Sequence, residues 1–160
     1  MRIFPTAWLW SFPAVYLIHL LDERCYGIGT ATFATEYLDI YFTDAAWLAV
    51  NVPSFLAVTA AAWLVARRTW PDWVAVALAT HLALHGLGRL PASMWFGTVA
   101  PGLLSGLVLC TPLALATFAR GYRSLPRAQL GTGVLVGIAS FQPLWHLLLL
   151  PVLPSAPVAA

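Results

Sequence analysis

Five stretches of about twenty mostly apolar residues, each closed by arginine, proline or a polar cluster, leave this chain few ways to fold. They fall near 5–22, 45–66, 71–90, 98–119 and 129–150. Surrounded by lipid, such a stretch can satisfy its own backbone only as a helix. The expected fold is therefore all-α: a polytopic, five-helix transmembrane bundle forming a single domain over 1–150, followed by a flexible proline-rich tail at 151–160. At 61% hydrophobic and 9% charged residues, the chain lies outside the range of an ordinary soluble domain, and a multi-pass place in an inner or plasma membrane is expected. Trp8, Trp10, Trp47, Trp70, Trp73 and Trp95 stand near the ends of these runs, where an indole suits the headgroup layer. Arg2 ahead of an apolar run also suits a signal peptide, but no small-x-small cleavage site follows at the right distance.

Arginine placement sets the expected orientation. Arg2, Arg67, Arg68, Arg120, Arg123 and Arg127 fall on one side of the threading, and only Arg24 and Arg89 on the other. This bias puts the amino terminus in the cytoplasm and the carboxyl terminus outside. The acidic 24–44 connection, with Glu36, Asp39 and Asp44, then lies outside too, and Phe33, Tyr37 and Tyr41 recur in it at the four-residue spacing of an interfacial helix. The basic residues are all arginine and are scattered through connections, which argues against nucleic acid as a partner. Cys25 and Cys110 belong to different runs at different depths and read as free thiols.

Against this apolar background the ionisable residues stand out, because each is costly in lipid. His19-Leu20-Leu21-Asp22-Glu23 ends the first run; His81-Leu82-Ala83-Leu84-His85 occupies the third; His146 lies in the fifth. With a rise of about 1.5 Å per residue and alternating helix directions, His19, Asp22, Glu23, His85, Arg89 and His146 come out in the outer half, with His81 about midway. Asn51, Thr98, Pro101 and Ser105 reach the same layer. His19 and Glu23 are four apart and His19 and Asp22 three apart, so all three can share one helix face; His81 and His85 repeat the spacing. Facing helices in bundles present imidazole and carboxylate to a shared metal in this way. The metal-ligand candidates are His19, Glu23, His81, His85 and His146, a nitrogen and oxygen set that suits Zn or Fe better than Mg or Ca. His19, Asp22, Glu23 and His85 are the catalytic candidates, and Asn51, Arg89, Ser105 and Trp145 the candidate substrate contacts.

Blander roles exist for each residue taken singly. A membrane histidine often only hydrogen-bonds across a helix interface, Asp22 and Glu23 could be solvated at a helix end, and Arg89 could snorkel to the surface. Those roles do not account for every histidine meeting in one layer. Gly102 and Gly106, and Gly133 and Gly137, have the small-xxx-small spacing of close helix packing, within one chain or between copies in a homo-oligomer. Pro53, Pro101, Pro112 and Pro143 read as kinks or caps.

These residues resemble a family of small bacterial membrane proteins named for an HXXEE motif. Pro13 followed by His19-Leu20-Leu21-Asp22-Glu23, then His81-Leu82-Ala83-Leu84-His85, then Ala100-Pro101-Gly102-Leu103-Leu104-Ser105 leading to Pro112-Leu113 match in order, over about residues 10–115. His19, Glu23, His85, Pro101 and Gly102 fall on the family's positions; Asp22 replaces its first glutamate and His81 its asparagine. The resemblance implies a membrane-embedded site with suspected enzymatic activity, and no particular reaction.

The expected function is that of a small integral-membrane enzyme acting on a lipid-, isoprenoid- or polyketide-like substrate entering from the bilayer. A bound metal would favour hydrolysis or oxidation, and direct acid-base work would favour isomerisation or cyclisation. The rival is a proton- or metal-relaying transporter or channel subunit, which would need polar residues continuing to the opposite face; a structural subunit is the third alternative.

Overall fold

The computed structural model of the protein describes residues 3–25, 29–38 and 42–141. Every regular element among them is helical. In chain order these are α1 (Thr6–Cys25), α2 (Gly29–Leu38), α3 (Asp44–Ala66), α4 (Trp73–Leu87), α5 (Arg89–Phe96), α6 (Leu103–Ser124) and α7 (Arg127–Ala139). The candidates Trp145 and His146 lie outside the described residues, as do Tyr41, Pro143 and the 151–160 tail.

Among the described residues two helices, α3 and α6, are long and apolar enough to cross a membrane, with mean hydropathies of 1.8 and 1.6. The runs at 5–22 and 71–90 depart from the uniform spans expected of them. The last two turns of α1 carry Asp22, Glu23 and Arg24, and the run at 71–90 is divided at Gly88 into α4 and the short α5. The aromatic spacing in the 24–44 connection does mark a helix: Phe33 and Tyr37 stack on α2, and both meet Phe96 of α5. Thr43 caps α3 by accepting a hydrogen bond from the Ala46 amide.

At the centre, α4 packs against α7, α6, α1 and α3. Small and β-branched residues make this possible, since Ala75, Val76 and Ala79 are wholly buried on different sides of it, together with Leu82. Gly133 and Gly137 of α7 face α4 of the same chain: a Cβ on Gly137 would lie 2.4 Å from the Thr80 Cβ. On the opposite flank Gly86 of α4 meets Gly106 of α6, where a Cβ on either would fall within 2.6 Å of the other's backbone. This crossing carries His85 on one helix to the level of Ser105 on the other. Directly after it, residues 106–110 of α6 widen into a π-helical turn, and the Thr111 hydroxyl donates to the displaced Gly106 carbonyl at 2.9 Å. Such turns often lie beside functional sites. Large apolar side chains, among them Leu56, Trp63, Val108, Leu115 and Leu135, point outward.

Candidate functional site

The interior polar groups gather where the carboxyl-terminal half of α1 faces α4, the start of α6 and the first turns of α3. Three-and-four spacing turns Tyr16, His19 and Glu23 inward, each at most 1% exposed. Four residues apart on α4, His81 and His85 are 5% and 4% exposed. The reversal between α5 and α6, with left-handed Gly97 and Gly102, delivers Ser105 to the same place.

Asp22, Ser105 and His19 form a chain of hydrogen bonds. The Asp22 carboxylate accepts from the Ser105 amide at 2.9 Å and from the Ser105 hydroxyl at 2.6 Å. His19 Nδ1 is 2.9 Å from that same hydroxyl. The hydroxyl has one proton and gives it to Asp22, so it accepts from an Nδ1–H of His19, and the imidazole lone pair falls on Nε2. His19 Nε2 has no hydrogen-bond partner and faces Glu23 Oε1 at 3.4 Å. Two Lewis bases confront each other in a buried space.

Glu23 is held by two donors from distant parts of the chain. Its Oε1 is ion-paired with the Arg89 guanidinium of α5, and its Oε2 accepts from the Trp47 indole N–H of α3 at 3.3 Å. Arg89 is 23% exposed, so it reaches the carboxylate from the edge of the interior. The expectation of a headgroup-level indole therefore fails for Trp47, which is buried and committed to Glu23. Nor is Arg89 a free surface anchor.

His85 is ringed by Tyr16, His19, His81 and Phe141, with centroids 4.8 to 5.6 Å away, and neither of its nitrogens has a hydrogen-bond partner. An unsatisfied buried polar atom costs roughly 1–3 kcal/mol, so a ring placed this way is a candidate partner for a bound ion, water or substrate group. One ligand atom each from His19, Glu23 and His85 lie within 4.8 Å of one another.

That compact group omits two residues expected at the site. His81 has Nδ1 3.2 Å from the Ser140 hydroxyl, one turn of α4 away from His85, and Asn51 donates to the Trp47 carbonyl of its own helix at 2.9 Å. Gly102, expected both to pack helices and to stand on a position of the HXXEE-motif resemblance, is pressed onto the site: a Cβ there would lie 2.6 Å from Glu23 Cγ and 2.8 Å from His19 Cε1. Trp47 and Tyr16 are contributors that sequence reasoning missed, although Trp47 does stand in the first turn of a run, where it could reach an acidic helix end. A hollow of about 660 Å³ between Trp8, Arg120 and Arg123 lies well away, near the other end of α1. Comparison with known protein families, with curated proteins and with solved structures finds no match to this chain.

Proposed function

We propose that this chain is a multi-pass membrane enzyme in which His19, Glu23 and His85 hold a Zn or Fe ion and process a hydrophobic substrate. The observation that carries the proposal is the convergence of buried Lewis bases: His19 Nε2 and both His85 nitrogens lack hydrogen-bond partners, beside a carboxylate. Two imidazoles and one carboxylate form a familiar catalytic ligand set, which leaves a position open for water or substrate. When bound, such an ion would polarise a substrate oxygen or favour deprotonation of a water.

The remaining groups have definable work. Asp22 and Ser105 keep the His19 lone pair on Nε2, as hydrogen-bonded carboxylates do for metal-binding histidines. Arg89 and Trp47 hold Glu23 in place, while Tyr16 and Phe141 exclude water from His85. The outward-facing aliphatic residues support a membrane setting, in which five spans, a cytoplasmic amino terminus and a plasma or inner membrane location complete the proposal. The resemblance to the HXXEE-motif proteins supports the same placement of the site.

The Arg89–Glu23 ion pair favours a second version, in which the charge of Glu23 is already compensated and His19 acts as a metal-free base. Relay of protons or metal across the membrane has less support. The buried faces beyond His81 are mainly apolar, with Val58, Ala62 and Val65 on α3 and Val74 to Ala79 on α4, and the buried hydroxyls of Thr80 and Thr117 are each bonded to a carbonyl of their own helix.

Two experiments address the proposal. Ser105→Ala removes the acceptor for His19 Nδ1–H and is expected to weaken metal binding about 10- to 100-fold, as measured by chelator competition. Lipid extracts from cells carrying wild-type protein should contain at least one hydrophobic species absent with His85→Ala. Identical profiles from two equally abundant proteins would remove the enzyme assignment.

A further inference from the structure

A second cavity, of about 230 Å³, runs between α3, α4 and α7. Its walls are apolar, with Ala57 and Ala61 on α3 and Val74 and Leu78 on α4, and one end carries His81 and Ser140. His81 lies one helical turn before His85, their rings 4.8 Å apart, so the polar end of this cavity adjoins the ligand group.

The hydrogen bonding of His81 specifies what it can receive. Ser140 donates its single hydroxyl proton to the Gly137 carbonyl at 2.9 Å and must therefore accept from His81 Nδ1–H. The lone pair of His81 is then on Nε2, a buried atom with no partner, in a residue only 5% exposed. An acceptor without a donor at the end of an apolar slot matches an alcohol. At about 30 Å³ for each water-sized group, the slot holds roughly eight carbons, too few for a fused-ring system and suited to one hydrocarbon chain.

We infer that this cavity receives the hydrocarbon chain of an amphiphilic substrate whose hydroxyl group donates a hydrogen bond to His81 Nε2. The inference rests on the proposed reading that the substrate is hydrophobic and reaches the site from the bilayer, and it adds the chemical class, an aliphatic alcohol. In this arrangement His81 is a specificity residue, and the hydroxyl sits at the His81 end of the cavity, one helical turn from His85. The cavity bordering α3, itself apolar enough to span a membrane, gives the chain a route in from lipid.

The test uses the full-length protein in phosphatidylcholine vesicles with two photoreactive probes, a seven-carbon primary alcohol bearing a diazirine near its far end and the corresponding methyl ether. The alcohol should label residues 57–61 or 74–78, about fivefold more than the ether, the worth of one net hydrogen bond. His81→Phe should abolish that preference, His81→Gln should retain part of it, and Ala57→Trp, which narrows the slot from an exposed position, should suppress labelling with either probe. Labelling spread over the lipid-facing surface, or an alcohol preference unchanged in His81→Phe, would overturn the inference. Should His81→Phe fail to fold, undiminished labelling of 57–61 and 74–78 in Ala57→Trp would overturn it equally. The metal content of the wild type separates the two claims: cavity labelling without metal removes the metal and leaves the slot, and metal without cavity labelling does the reverse.

Discussion

Glu23→Gln is expected to destabilise the protein by about 2–3 kcal/mol and to remove its metal. The carboxylate is 1% exposed and serves Arg89, Trp47 and His19 together. Deleting one partner of a buried ion pair costs about 3–5 kcal/mol, because the other charge is left uncompensated. Arg89 is partly exposed and can turn toward water or a headgroup, which lowers the expected figure. Removing Arg89 as well should recover part of the loss, with a coupling of about 1–3 kcal/mol in the double-mutant cycle with Arg89→Gln. Were Glu23 merely solvated at a helix end, substitution would change stability by at most about 0.5 kcal/mol. Reversible unfolding in detergent micelles measures both outcomes.

Gly102→Ala should reduce activity about 100-fold although it alters no ligand, since displacement of reacting groups by about an ångström can cost that much. The backbone at Gly102 has φ +79°, which costs a residue with a Cβ roughly 1–2 kcal/mol. The added methyl must also displace Glu23 and His19, whose carbons would lie 2.6 and 2.8 Å from it. Gly97 supplies the control, with φ +63° and nothing within 4 Å of an added Cβ. Gly97→Ala should lose comparable stability and keep wild-type turnover of the lipid product. Equal activity losses in the two variants would mean that backbone strain, and not contact with the ligand residues, governs the effect.

Spacing along single helices carried much of the site. His19 and Glu23 share a face because they are four apart, and the level of Ser105 followed from the helix directions, so α1, α4 and α6 meet as the threading implied. What spacing could not resolve was which neighbour each side chain would choose. His81 and His85 have the same periodicity, yet Ser140 on α7 engages one and leaves the other free. Asn51 satisfies its own helix, an option open to any such residue, whereas Trp47 one turn earlier crosses to Glu23. The break at Gly88 escaped notice because hydropathy averaged over a long window is insensitive to one residue. Gly102 appeared as half of a packing motif and as a position of the HXXEE-motif resemblance, while its positive φ and its contact with Glu23 are products of the tertiary turn.

The central claim is that His19, Glu23 and His85 form a metal centre, and elemental analysis of the wild-type protein tests it most directly. Purified mildly from membranes without chelators, the protein should contain about one Zn or Fe per chain, falling to background in His85→Ala that elutes as a folded species. Wild-type protein that retains its product-forming activity with no stoichiometric Zn, Fe, Mn or Cu would contradict the account.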